Sequence, residues 1–591
     1  MDYGELGPTE STRSFPDLPL TRSTATDPVR RRNHRRRRFL LLAITATLFL
    51  AASAALVSTL LLRSKDRGHA GRLNRTPTEA ISQTCKLTQY PELCISSLVN
   101  FPGALEAGKP QLVHISLNMT HQRVNSALYA ASSISGVTMD RLARAAYEDC
   151  VELLDVSVDQ LTQSIDVVSG DGTASSDDVI TWLSAALTNH DTCIEGLDGV
   201  DSYVYAQMTT QLKDLPELVS NSLAIFAASS RNGEFSAIPI QNRRKLLRRR
   251  RLFSSFPDWI NPTDRKLLEM PAQDIQSDFV VSRDGSGTHN TIADAVKAAP
   301  EGSSRRIIIY VKAGHYYENI KVARKKTNLM FVGDGMGKTV VAGSRSVYDK
   351  FTTFHTATFA ATGAGFIMKE MTIENNAGPE KHQAVALRVG ADRSVVYRCS
   401  IIGYQDTLYV HSQRQFYREC EVYGSVDFIF GNAAVVVQKC NIWARKPMAG
   451  QKNTITAQNR KDPNQNTGIS IHDCRIQPAS DLNAVMGSVQ TFLGRPWKLY
   501  SRVVYMLSYM GDHIDPAGWL EWNGDFALST LYYGEYMNSG PGAGVGKRVN
   551  WPGYRVITVD DEANKFTVAK FIYGSSWLPS TGVAYLAGLS V

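Results

Sequence analysis

Two stretches of the chain repeat one arrangement of side chains that can do acid–base chemistry. The pattern C-x-[IV]-x-G-x-x-D-x-[LI] fits Cys399, Ile401, Gly403, Asp406 and Leu408, and fits again at Cys420, Val422, Gly424, Asp427 and Ile429. All five matches share one offset of 21 residues, and Gln383 and Gln405 in the same region stand 22 apart. An offset of this size is about one coil of a parallel β-helix, whose coils stack about 4.8 Å apart. Stacking sets Asp406 beside Asp427. Two carboxylates that close do not both ionise readily, so one keeps its proton near neutral pH while the other serves as base or nucleophile. An aspartate in a Gly-rich turn is ordinarily a turn former. Two of them on adjacent coils, next to Gln405, are what single these out. The glutamines themselves admit a second use, as an amide ladder inside the solenoid.

The elements that hold these residues belong to a chain of 591 residues, too long for a single core. Its composition is ordinary for globular protein, with 43% hydrophobic and 20% charged residues and a net charge of +8. A basic balance suits an acidic polymer, either nucleic acid or an acidic polysaccharide. No zinc-ligand spacing, P-loop, RNA-binding aromatic signature or GxSxG elbow is present, so nucleic acid has charge alone in its favour and is not expected as a partner.

Residues 1–38 form a polar tail ending in the arginine-rich run from Arg30 to Arg38. The uncharged segment 39–62 follows, long enough at about 1.5 Å per residue to span a bilayer as a helix. Arginines on its amino-terminal side predict a signal anchor with a cytosolic tail, the rest of the chain being lumenal; a cleavable signal peptide is the rival. Lumenal exposure agrees with sequons at Asn74 and Asn118 and lets the eight cysteines form disulfides. These fall into two even groups, Cys85, Cys94, Cys150 and Cys193, then Cys399, Cys420, Cys440 and Cys474. Helical periodicity over 78–228 predicts an all-α four-helix bundle. A linker, 229–277, carries basic runs open to proteolysis. From 278 to 591, short β-branched runs between Gly, Asn and Asp turns predict an all-β coil, with one helix near Thr291 to Ala299. The C-x-[IV] start recurs at Cys440 and Cys474, and spacings of 21, 20 and 34 mark successive coils with a loop inserted in the last. Which of these stacked cysteines bond, or whether they stay a ladder of thiols, the spacing leaves open.

Longer motifs carry a resemblance. The string Leu183 to Cys193, LSAALTNHDTC, with the first four cysteines, resembles the plant pectinesterase-inhibitor and invertase-inhibitor bundle. Gly314 to Glu318, Gln383 to Leu387, Tyr404 to Leu408, Gly424 to Gly431 and Leu493 to Trp497 resemble, in order and spacing, the plant pectin methylesterases. The resemblance implies a right-handed parallel β-helix acting on methyl-esterified homogalacturonan (pectin) without metal or organic cofactor. It implies cysteine pairs 85–94 and 150–193. Some relatives carry a cysteine at the position of Thr372; its absence here makes Cys399–Cys420 and Cys440–Cys474 the implied bonds. RRLF and RKLL, ending at Phe253 and Leu268, resemble processing sites of such precursors, with the main cut after Leu268 by a subtilisin-like protease. A mature monomer in the cell wall, a membrane-held precursor in the Golgi, and pectinesterase-inhibitor proteins as partners follow from the same resemblance.

Ester hydrolysis needs a nucleophile, a proton donor for methoxide and an oxyanion holder. Asp427 is the expected nucleophile, oriented by Arg495, which fills the arginine position of the family. Asp406 is then the proton donor, and Gln405 and Gln383 supply oxyanion amides. Trp497, and less directly Trp519 and Phe430, offer faces for sugar rings, while Thr353, Gln383 and Arg495 match family substrate contacts. His289, His382 and His411 lack a serine partner and are expected to be structural. A pectate lyase or polygalacturonase is the alternative enzyme, and a non-catalytic pectin-binding module the alternative class.

Overall fold

The computed structural model describes residues 76–170, 174–200, 202–231 and 275–589. The arginine-rich tail, the apolar segment 39–62, Asn74 and the processing motifs ending at Phe253 and Leu268 lie outside them. Among the described residues no helix is long and apolar enough to cross a membrane.

The first part is helical: α1 Glu79–Cys85, α2 Pro91–Val99, α3 Lys109–Ser133, α4 Arg141–Ser169, α5 Ser176–Gly196, α6 Ser202–Leu212 and α7 Leu215–Arg231. Local chemistry sets the ends of the two helices that matter most here. Asp140 caps α4 by accepting from the Ala143 N–H, and Gly170, at φ 88°, stops it in the left-handed conformation that glycine adopts freely. Ser175 and Asp178 form a reciprocal capping box at the start of α5. Disulfides Cys85–Cys94 and Cys150–Cys193 tie α1 to α2 and α4 to α5. Asn118 lies within α3, half-buried, its amide bonded to His114 at 3.1 Å.

The second part winds three entirely parallel sheets of eleven, seven and eight strands, consecutive coils giving one strand to each. The seven-stranded sheet carries the chemistry. Its strands are β1 Ile320–Val322, β2 Phe359–Ala361, β3 Leu387–Val389, β4 Leu408–Val410, β5 Ile429–Gly431, β6 Asn453–Gln458 and β7 Thr491–Pro496. Pairing in register makes columns of side chains across it. One column, containing Leu387, Leu408 and Ile429, points into the solenoid core. The next residue of each strand points out, giving the row Lys321, Ala360, Arg388, Tyr409, Phe430, Ala457 and Arg495.

In a neighbouring sheet, register joins Ile401, Val422, Ile442 and Ile476, so the cysteine that starts each of these segments does mark successive coils. The expected bonds Cys399–Cys420 and Cys440–Cys474 are absent: all four are buried free thiols. Register supplies the reason. Equivalent residues on stacked coils hold their Cβ atoms about 4.8 Å apart with parallel side chains, whereas a disulfide draws them to about 3.8 Å. Each sulfur instead faces carbonyl oxygens, as Cys420 Sγ does toward Val396 and Arg418 at 3.3 Å.

Candidate active site

Asp406 and Asp427 each stand two residues before strands that pair in register, β4 and β5, and therefore occupy the same position on adjacent coils. Both take positive φ, 61° and 51°, uncommon for a side-chain-bearing residue but eased for aspartate. The Asp406 N–H donates to the carbonyl of Val426, next to Asp427, at 3.0 Å. The offset between β5 and β6 puts Thr454 on the coil after Asp427.

Their surroundings differ sharply. Arg495, at the end of β7, donates from Nε to Asp427 Oδ1 at 2.9 Å and from Nη2 to Oδ2 at 2.6 Å, a bidentate grip. Thr454 Oγ1 donates to Asp427 Oδ1 at 2.6 Å and accepts from the Asp427 N–H at 2.9 Å. Asp406 is 8% exposed. Burial, then the charge of Asp427, pushes its carboxyl well above the usual range, outweighing Arg495. Burial pulls the Arg495 guanidinium down, but its ion pair with Asp427 leaves it raised overall.

Gln405 is buried and its Oε1 has no hydrogen-bond partner. Its carbonyl accepts from Ala384 N–H at 3.2 Å, which sets Gln383 one residue out of register on the preceding coil. No hydrogen bond links the two amides, so they do not form the ladder that was their alternative use. Thr353 precedes the short 3-10 turn Phe354–Thr356, and Thr356 Oγ1 of that turn accepts from the N–H of Val385, two residues after Gln383, at 3.1 Å. Along the outward row Tyr409 and Phe430 stack at 4.2 Å, and Trp497 lies 6.0 Å from Phe430. Trp519 is a correction. It is 1% exposed, stacked on Tyr533 and bonded to Glu535, because an isolated bridge to Gly494 sets it against the core tyrosines Tyr505 and Tyr533. The exposed ring beside the acids is Trp522, which sequence reasoning missed; Arg495 lies 4.4 Å over it. Thr454 was missed as well, since the offset of 27 hides it from the 21-residue repeat. His411 is buried and held to about 3 by burial and by Arg388, a neutral ring bonded to Thr192 of α5.

That last contact belongs to a lid of helices. Tyr409, Phe430 and Trp497 pack into one apolar cluster with the bundle. Seven Lys or Arg ion pairs and one histidine–carboxylate hydrogen bond join the two parts among the described residues, and in all of them the carboxylate is on the bundle. Asp149 meets His355, Glu152 meets Lys321, Asp155 and Asp159 meet Arg324. Asp178 meets Arg393 and Arg414, Asp191 meets Lys461, and Glu195 meets Lys498.

Residues 278–575 match the family model Pectinesterase, and residues 79–225 match Plant invertase/pectin methylesterase inhibitor. A protein of Arabidopsis thaliana named Probable pectinesterase/pectinesterase inhibitor 34 is 60% identical with full coverage of both chains. Pectinesterase 2.2 of Solanum lycopersicum is 48% identical over 86% of this chain and 90% of its own. A solved structure, pectin methylesterase from carrot, is 55% identical, covers 53% of this chain and 98% of that one, and superposes with a TM-score of 0.53. The chain therefore belongs to the pectinesterase family, with a plant inhibitor-type helical domain ahead of its catalytic coil.

Proposed function

We propose that this pectinesterase works through Asp427 as nucleophile and Asp406 as acid and base. The observation that supports this division is the unequal setting of the pair: Asp427 gripped by Arg495 and Thr454, Asp406 buried with a raised pKa. The Asp427 carboxylate attacks the C6 carbonyl carbon of a methyl-galacturonate unit, and the oxyanion takes hydrogen bonds from the amides of Gln405 and Gln383. Collapse breaks the bond to the methoxy oxygen, which receives the Asp406 proton and leaves as methanol. Water then gives a proton to Asp406 and attacks the acyl-enzyme anhydride, freeing Asp427 and a galacturonate carboxylate. Sugar rings lie on Phe430, Trp497 and Trp522, within reach of Thr353.

Highly methylated pectin incubated with the chain cut after Leu268, in chelator, releases methanol without chain shortening. Asp427→Asn lowers that rate by ~10³-fold or more. Shortened chains would point to a polygalacturonase or lyase, and an unchanged Asp427→Asn rate would remove the nucleophile.

The helical domain acts as a pro-region. Its packing over Tyr409, Phe430 and Trp497 supports an uncut chain less active than the cut one. A subtilisin-like protease cuts after Leu268 or Phe253, the precursor is anchored in the Golgi by 39–62, and the mature monomer acts in the cell wall, open there to inhibitor proteins. Asn74 and Asn118 carry glycans. Equal turnover by cut and uncut chain would end the pro-region reading.

A further inference from the structure

The outward row has a charged end that the esterase chemistry does not use. Arg388 stands two coils from Phe430 and Lys321 two coils beyond, in the same register line, and Arg324 follows just past β1. Coils about 4.8 Å apart put these cations about 10 and 19 Å from Phe430. Arg388 is the telling residue. It is 3% exposed, its guanidinium lies 3.3 Å over the Phe354 ring, and its Nε and Nη1 have no hydrogen-bond partner. Its nearby carboxylates, Glu152 and Asp149, both belong to the bundle. Likewise, among the described residues, no carboxylate of the coil pairs with Lys321 or Arg324.

Opposite them, Asp149, Glu152, Asp155 and Asp159 line one face of α4 at steps of three and four residues. At 1.5 Å per residue the carboxylates recur every ~4.5–6 Å, the length of one pyranose unit in an extended polyuronate.

The geometry points to Arg388, Lys321 and Arg324 as a binding rail for free carboxylates of galacturonan already demethylated, whose place the α4 carboxylates take in the uncut chain. This rests on the pectinesterase reading and extends it: the enzyme holds the acidic stretch it has made while the next ester reaches Asp427. The rail also makes the product a competitor of the bundle. A demethylated chain seated on Arg388 and Lys321 excludes Glu152.

The test uses the full chain with a specific protease site placed after Leu268 and Asp427→Asn to prevent turnover. After cutting, decagalacturonate or its fully methyl-esterified form is titrated in, and bundle release is followed by gel filtration. The free acid is expected to release the bundle at a tenth or less of the concentration the ester needs. Arg388→Gln with Lys321→Gln brings the two concentrations within threefold, while Arg388→Lys with Lys321→Arg keeps the preference, which separates lost charge from lost fold. Equal potency of acid and ester, release by neither, or an undiminished preference in the Gln pair overturns the rail. Methanol release by the cut chain with Asp427 intact is measured alongside. Its presence with a failed rail leaves the esterase standing, and its absence sinks the esterase itself.

Discussion

Asp427 has a guanidinium and a hydroxyl on its oxygens, whereas Asp406 has neither, and that contrast supports the two roles proposed for one pair of identical side chains. The raised Asp406 pKa has a definite sign for catalysis. On the proposed mechanism the group holds, below that pKa, the proton that methoxide needs, and the rate is expected to fall as pH rises through it. Asp406→Asn should remove that alkaline limb and cut turnover ~10²–10⁴-fold, measured as methanol release across pH. Gln405→Leu, which takes away a proposed oxyanion donor, should cost ~10²–10³ in kcat with little change in KM. The juxtaposition of Asp406 and Asp427 was legible in the 21-residue repeat, whereas Gln405 and Arg495 were singled out by motifs that resemble the pectin methylesterases. Thr454 and Trp522 were not. One enters through a register offset that departs from 21, and the other through its exposure beside Arg495, which only packing defines.

At the scale of elements, the coil repeat was written plainly in the cysteines, yet the corners before them were not. Arg398, Glu419, Lys439 and Asp473 precede the four cysteines with φ of 49°, 53°, 54° and 54°. Arg398, Glu419 and Lys439 are not types that announce a left-handed turn, which costs each about 1 kcal/mol or more; only Asp473 is of a type eased there. Stacking on both neighbours holds them there. The same stacking decided the cysteines: the chain denatured under alkylating conditions should give four modified thiols and two intact disulfides by mass, and in the native state none of the four should react. Burial pushes the thiols of Cys399, Cys420 and Cys440 well above their usual range, so no thiolate is available to attack.

Across the whole molecule, the helical domain and the coil could each be read from periodicity, but their contact could not, because ion pairs between residues 165 or more apart leave no local pattern. Asp178 shows how the contact is held. Burial opposes its charge, yet Arg414, the Ser175 backbone and Arg393 together hold its carboxyl down at about 2. The folded value lies below the ordinary 3.8, so the stabilisation is complete above about pH 4 and fades as pH falls toward 2. Acidification to pH 5 therefore leaves this part of the contact intact. Asp178→Asn, which keeps the helix cap, should weaken docking of the cut bundle by ~2–3 kcal/mol, a 30- to 150-fold faster loss of bundle on dilution.

The register of the seven-stranded sheet has a further consequence. From β4 to β5 the offset is 21 residues, from β5 to β6 it is 27, and from β6 to β7 it is 38, yet Arg495 still lands in line with Phe430 and reaches down to Asp427. Distance along the chain and distance in space are thus uncoupled. The intervening loops near 445–452 and 479–490 are free to vary in length, and with it in what they grip, while the spacing of the reacting groups stays fixed by the height of a coil.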